Sequence, residues 1–379
     1  MPMTEEQRQV KDMVRRFADE HIRTVAAELD EAERYPAEIF KAMAELGLLG
    51  ITVPVEDGGA GMDSVAYAVV IEELSRGYAA VADGCGLVEL LASLLSAHGT
   101  PEQKARYLAP LLRAERCGAY ALTEPEAGSD LAGLKTTARR SGDGWVLDGG
   151  KLWINCAPIC DFACVLARTD PSAGHRGMSI FLVDADLPGF SHGRKEKKMG
   201  QRANPVGALH FDGIELGPDA LLGPVGRGFH MMMSVLEKGR ICIASLAVGI
   251  AQAGLEAALG QARERRQFGQ AIVEFQGLQW LLADMAKDIT AARCLIHEAA
   301  RTLDAEGSAN MLCSMAKCFA TDMAVQHAAN AVQIFGGSGF IRGFEVERLY
   351  RDVKITQIYE GTNQIQRTII AKELLKQGA

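Results

Sequence analysis

From Phe229 to Arg266 the chain keeps a nearly unbroken helical pattern, and two further long segments, Phe275 to Glu306 and Asn310 to Phe335, follow it. Their apolar faces are wide, so each helix needs neighbours on more than one side. A four-helix bundle meets that need. The most apolar part, Ile241 to Gly260, is rich in Ala and interrupted by Gln252 and Glu256. It reads as a bundle helix and not as a membrane span.

The start of the chain is helical too. Thr4-x-x-Gln7 is a capping box, followed by Val10, Met13, Val14 and Phe17 at helical spacing. A second helix runs from Ala37 and stops at Gly47; Met62 to Leu74 makes a third. Thr100-Pro101-Glu102-Gln103 joins an N-cap, a proline at the first helical position and a capping glutamine. Near Cys117 the pattern changes to short β-branched and aromatic runs, punctuated by Gly142-Asp143-Gly144, Asp148-Gly149-Gly150 and Leu187-Pro188-Gly189. Trp145-Val146-Leu147 to Lys151-Leu152-Trp153-Ile154 reads as a hairpin, and Phe162 to Ala167 and Met178 to Val183 as buried strands. The expected fold is α+β and multidomain: an N-terminal α-helical domain (1–116), a middle antiparallel β-domain (117–226) and a C-terminal four-helix bundle (227–379).

Composition narrows the function. At 379 residues, 48% hydrophobic and 23% charged, the chain is sized for a soluble globular protein of two or three domains. Its net charge is −8, and no long basic run appears, Arg194-Lys195-Glu196-Lys197-Lys198 being short and interrupted, which argues against nucleic acid. Nine cysteines are present; Cys156, Cys160 and Cys164 recur every four residues, expected on one face of a strand-like segment. No ordinary zinc spacing is found, so free thiols and no metal are expected. The N-terminus, Met1-Pro2-Met3-Thr4-Glu5-Glu6, lacks a basic region and an apolar core, so no signal peptide and a cytoplasmic location are expected.

Chemistry concentrates at Ile358-Tyr359-Glu360-Gly361-Thr362-Asn363-Gln364, where one carboxylate stands between a mostly apolar run and a new helix from Thr362 to Leu375. A carboxylate with few water neighbours holds its proton more tightly, which suits a general base. On this stretch alone, a first-turn helix charge favoured by the dipole is the plainer reading. Gly336-Gly337-Ser338-Gly339 follows a helix and not a strand, so it gives no Rossmann site. Tyr120 to Asp130 ends an apolar strand in a polar loop, where Ser129 and Asp130 equally suit a turn cap. Arg263-Glu264-Arg265-Arg266-Gln267-Phe268-Gly269 ends the first bundle helix with basic residues that the dipole alone would favour.

Taken together, these motifs resemble the acyl-CoA dehydrogenase family over essentially the whole chain. The residues that carry the resemblance are Tyr120-Ala-Leu-Thr-Glu-Pro-Glu-Ala-Gly-Ser-Asp130, Lys151-Leu-Trp-Ile154, Arg265-Arg-Gln-Phe-Gly269, Gln333-Ile-Phe-Gly-Gly337, and Arg351-Asp352 followed by Ile358-Tyr-Glu-Gly-Thr362. They stand in the family's order on an α–β–α layout.

The resemblance implies FAD lying between the β-domain and the C-terminal bundle. Leu122 and Thr123 would contact the flavin and Trp153 would flank it. Arg265, Gln267 and Phe268, with Gln333 and Gly337, would serve the FAD site of a neighbouring subunit, and Thr362 and Gln364 would hold its adenosine side. A shared site of this kind implies a homo-oligomer, expected to be a tetramer built as a dimer of dimers. Glu360 matches the family's catalytic base, with its backbone N–H as one donor to the thioester carbonyl. Gly239 stands at the family's other base position and cannot take a proton. Glu237 and Arg240, with Ser129 close by, would lie near the thioester carrier; Tyr359 and Gly361 would flank the substrate.

The chain departs from the family after Ile154, where Asn155-Cys156-Ala157-Pro158 replaces the usual Thr-Asn-Gly. An amide at Asn155 would then stand beside the flavin and can donate as well as accept. Ala82 to Leu94 is expected to line or back the acyl pocket, with Glu89 reaching solvent or a structural partner, or else reading a polar or branched acyl group. The expected reaction is FAD-dependent α,β-dehydrogenation of a short- or medium-chain acyl-CoA, with electron-transfer flavoprotein or another acceptor taking the electrons. The alternatives are a dehydrogenase of acyl groups on an acyl carrier protein, an oxygen-using oxidase and, from another class, a flavin-binding scaffold without dehydrogenation.

Overall fold

Thr4 begins the first helix as its spacing predicts: its Oγ1 accepts from Gln7 N at 3.2 Å, while Gln7 Oε1 accepts from Thr4 N at 2.9 Å. The computed structural model describes residues 3–377, so Met1 and Pro2, which open the stretch read for a leader, lie outside the described residues. Helices α1 (Glu5–Phe17), α2 (Ala26–Ala32), α3 (Ala37–Glu45), α4 (Ser64–Gly77), α5 (Ala79–His98), α6 (Pro101–Gln103) and α7 (Ala109–Leu112) make up the N-terminal region. α3 stops just before Gly47, whose φ of 70° suits glycine. Thr100 caps α6 with Pro101 at its start, as expected.

Strands β1 (Gly118–Ala121), β2 (Thr137–Ser141), β3 (Gly144–Asn155), β4 (Phe162–Arg168), β5 (Met178–Asp184), β6 (Phe190–His192), β7 (Val206–Leu216) and β8 (Leu221–Leu222) form one sheet. Its order is β6-β7-β3-β2-β4-β5-β8, with β1 against β4. Three expectations need correction. The sheet is mixed, because β1 runs parallel to β4 along Gly118–Ala121 and Thr137 of β2 meets Arg168 of β4 in parallel. Parallel pairing depends on a distant crossover, which local alternation does not report. The stretch from Trp145 to Ile154 is one strand rather than a hairpin; Gly149, at φ 139°, absorbs a bulge against β7. The hairpin lies one turn earlier, where Ser141 faces Gly144 across Gly142-Asp143. Cys156, Cys160 and Cys164 do not share one strand face: Cys156 is a left-handed residue after β3, Cys160 ends a 3₁₀ turn, and only Cys164 is in β4. All three are buried, and every cysteine is a free thiol.

The last region holds α8 (Gly228–Glu264), the short ribbon β9 (Arg266–Gln267) and β10 (Gln270–Ala271), then α9 (Gln276–Glu306), α10 (Asn310–Phe335), α11 (Glu345–Val353) and α12 (Asn363–Gln377). α8 is the hub and packs against α10, α4, α9 and α5. Glycine makes one of these approaches possible: a Cβ on Gly249 would meet Glu72 O of α4 at 2.3 Å. Arg293 of α9 then grips the Glu72 carboxylate at 2.7–3.0 Å. The helices of both ends thus share one apolar core, and a second core lies against the sheet. α5 and α8 are long and apolar enough to cross a membrane by composition, yet 83% of each apolar window is buried among other helices.

Candidate active site

The turn that presents Glu360 is unusual in its backbone. Glu360 has φ 55° and Gly361 φ 87°, two left-handed residues in succession. A side chain at such a position is disfavoured unless its surroundings hold it there. Hydrogen bonds hold it, the first of them from the buried Gln366. Gln366 Nε2 donates to Glu360 O at 3.1 Å and to Gly361 O at 3.0 Å. Thr362 Oγ1 accepts from Ile365 N at 3.3 Å and starts α12.

The Glu360 side chain turns into a cavity of about 440 Å³ between the first helices, the sheet and the bundle. Its Oε2 is out of solvent and has no hydrogen-bond partner. Gly239 of α8 makes the room, since an added Cβ would stand 2.4 Å from that oxygen. Burial pushes the Glu360 carboxyl up to about 7, and the Asp83 carboxylate pushes the same way, while Arg240 and Lys317 oppose. The site therefore holds a carboxylate that can take a proton near neutral pH.

Nine of the residues expected in a catalytic, cofactor or substrate role line this one cavity. Leu122, Thr123 and Ser129 come from the loop after β1, Trp153 and Asn155 from the end of β3. Arg240 comes from α8, and Tyr359, Glu360 and Gly361 from the turn before α12. Strand and loop are locked together. Leu152 N donates to Thr123 O at 2.9 Å, and the buried Lys151 ammonium donates to Leu122 O at 3.0 Å and Glu124 Oε1 at 2.8 Å. Arg240 Nη1 reaches Asn310 Oδ1 at 2.5 Å and Ser314 Oγ at 3.5 Å.

Glu237, expected near the thioester carrier, lies toward the start of α10. It is not among the cavity's lining residues; its carboxylate accepts from Ser308 Oγ at 2.9 Å and Ala309 N at 2.7 Å, at the start of α10. Two residues along a helix are about 200° apart, so Glu237 points away from the Gly239 face. Thr362 and Gln364 belong to a separate cavity of about 300 Å³, with Asp322 and Arg367. Arg265, Gln267 and Phe268 sit in or beside the exposed β9–β10 ribbon, and Phe268 is 94% exposed. Gln333 and Gly337 are exposed at the end of α10. None of these five lines the Glu360 cavity.

The sequence reading passed over Asp83. It lines the cavity from α5, and its Oδ2 accepts from Asn155 Nδ2 and from Asn204 Nδ2, each at 2.7 Å. Burial raises its carboxyl. An acid inside the apolar stretch 82–94 was the available signal, but Glu89 drew it instead. Glu89 is structural: buried, it accepts from Ile51 N at 2.7 Å and Thr52 N at 3.0 Å.

Family comparison follows the same division of the chain. Models described as acyl-CoA dehydrogenase N-terminal, middle and C-terminal domains match residues 4–115, 119–214 and 226–375. The chain belongs to the acyl-CoA dehydrogenase family. It is 40% identical to an "Acyl-CoA dehydrogenase, short-chain specific" of Clostridium acetobutylicum, over 99% of both chains. It is 41% identical to a "3-(aryl)acrylate reductase" of Clostridium sporogenes, over 99% of this chain and all of that one. Butyryl-CoA dehydrogenase from Megasphaera elsdenii superposes with a TM-score of 0.95 at 35% identity, covering 99% of each chain.

Acyl-CoA dehydrogenases depend on FAD, and this chain is an FAD-dependent oxidoreductase of that family. The cavity suits the group. Trp153 presents a large ring, 63% exposed, at a wall it shares with Thr123 and Asn155. Asn155 Oδ1 is buried there without a partner, as is Glu360 Oε2. Orphaned polar atoms of this kind are rare in finished cores and common where a bound group completes the site. The residues that would hold the flavin are Leu122, Thr123, Trp153 and Asn155.

Proposed function

We propose that Glu360 removes the α-proton of a short- or medium-chain acyl-CoA, forming the 2,3-enoyl thioester. The observation that carries this is the unpartnered, buried Glu360 Oε2 beside Gly239, in a cavity bounded by Thr123 and Trp153. FAD, when bound, supplies the two-electron oxidation and receives the substrate's β-hydride. The chain's residues do the rest. The Glu360 N–H would donate to the thioester carbonyl and stabilise the enolate that develops as the proton leaves. Leu87, Leu90, Leu236 and Ile243 offer apolar walls to a hydrocarbon acyl group. Glu89, already bonded to the backbone of residues 51 and 52, is not free to read a polar acyl end.

Electron-transfer flavoprotein, or another acceptor, would take the electrons onward. The working form would be a homotetramer, which would bring Arg265, Gln267, Phe268, Gln333 and Gly337 to a neighbour's FAD. Phe268, 94% exposed beside Arg265 and Gln267, supports that reading, since a neighbour would cover it. Free thiols throughout support a reducing, cytoplasmic setting.

The test is anaerobic mixing of the yellow, FAD-loaded protein with saturated acyl-CoAs from butyryl to palmitoyl. Bleaching of the flavin, fastest with the short and medium chains, is expected. Faster bleaching by the same acyl groups on an acyl carrier protein would favour the biosynthetic alternative, and peroxide release without an added acceptor would favour an oxidase. A protein that cannot be loaded with FAD, or that no thioester bleaches, would contradict the proposal.

A further inference from the structure

α10 carries a lysine deep in the core. Lys317 is fully buried, with no exposed surface. Its Nζ donates to Gly361 O and to Asn363 Oδ1, each at 2.9 Å. Both acceptors are neutral oxygens. A buried ammonium held only by neutral oxygens is costly to keep charged, and burial pulls Lys317 down to about 8. Packing alone would be served better by methionine. The lysine's position suggests what the charge does, because its two acceptors belong to residues 361 and 363, within three residues of Glu360.

Two donors from two helices fix this turn. Gln366 of α12, itself buried, donates to Glu360 O and Gly361 O; Lys317 of α10 also donates to Gly361 O. Asn363 is oriented for the lysine because its Nδ2 is taken by Thr321 Oγ1 at 2.9 Å and Asp322 Oδ1 at 2.7 Å, leaving Oδ1 toward Nζ. With successive φ angles of 55° and 87°, the peptide planes at 360 and 361 need such holders to keep the carboxylate aimed at Gly239.

The titratable groups around the base come from several elements. Asp83 faces it from α5, Arg240 and Cys242 from α8, Tyr120 from β1, Tyr359 from the same turn and Lys317 from α10. Lys317 in turn faces Glu360, Cys318, Asp322 and Arg240. Arg240 and Lys317 are the cations of this set.

We propose that Lys317 is a positioning residue for the base: it holds the Glu360–Gly361 turn toward the pocket, and its cation keeps the Glu360 carboxylate ready to accept a proton. This rests on Glu360 being the base. It adds that one buried ammonium couples the turn's shape to the acid's charge.

The test uses FAD-loaded full-length protein and follows anaerobic bleaching by butyryl-CoA across the pH range. Lys317→Met should lower the plateau rate about tenfold. It should also move the midpoint of the acid limb to higher pH by about one unit, because removing a nearby cation makes a carboxylic acid weaker. Lys317→Arg should keep the midpoint close to wild type. Gln366→Leu loosens the same carbonyls without touching the charge; it should lower the plateau and leave the midpoint in place. A wild-type midpoint in Lys317→Met, or an equal shift in Gln366→Leu, would overturn the proposal. If the methionine variant cannot hold FAD, Lys317→Gln keeps a donor, loses the charge and decides on the same midpoint; failure of both to hold FAD would make the lysine a folding residue and overturn the proposal. Glu360→Gln separates the two ideas. If it bleaches as wild type does, the base assignment falls and this inference with it. If it does not bleach while Lys317→Met keeps the wild-type midpoint, only this inference falls.

Discussion

Gly239 and Glu360 share one space: a Cβ on the glycine would lie 2.4 Å from Glu360 Oε2 and 3.0 Å from its Cδ. The glycine belongs to the long hub helix and the acid to a turn more than a hundred residues later. Chemistry here depends on an absent side chain as much as on a present one.

Gly239→Ala should therefore displace the base without harming the fold, since alanine favours a helix interior. The expected result is full FAD content and a bleaching rate lower by about 10²-fold, the scale on which small misplacements act. Stopped-flow mixing with butyryl-CoA checks it. An unchanged rate would mean that Glu360 does its work from another rotamer.

Asp83→Asn should make the base stronger as an acid. The Asp83 carboxylate raises Glu360, second only to burial. Removing that negative charge lets Glu360 ionise at lower pH, so the acid limb of the bleaching profile should move below the wild-type midpoint. Asparagine can still accept from Asn155 and Asn204. A pH–rate profile decides, and a limb that stays in place or moves upward contradicts the account.

Glu89→Leu should unfold the protein more easily and leave specificity alone. The leucine would orphan the N–H groups of Ile51 and Thr52, at a cost of roughly 2–4 kcal/mol. A lower Tm with an unchanged ranking of acyl-CoAs is expected. A shifted ranking would make Glu89 part of the acyl pocket after all.

The sequence made some of this site readable and hid the rest for identifiable reasons. The three long helices of the bundle and both capping boxes followed from periodicity and local chemistry, which are short-range signals. Glu360, Thr123 and Trp153 came from motifs whose order matched a family. The parallel pairing of β1 with β4 was hidden because its partners are far apart in the chain. Asp83 and Lys317 were hidden because each looks like an ordinary charge until the fold buries it. Arg265, Gln267, Phe268, Gln333 and Gly337 would act, in the proposed tetramer, across a subunit boundary that one chain cannot display.

The most direct measurement is anaerobic bleaching of FAD-loaded Glu360→Gln by butyryl-CoA. Glutamine keeps the shape and cannot take the proton. The account predicts a yellow protein that binds FAD as wild type does and stays yellow with substrate. A variant that bleaches at the wild-type rate would contradict it and move the base to another residue.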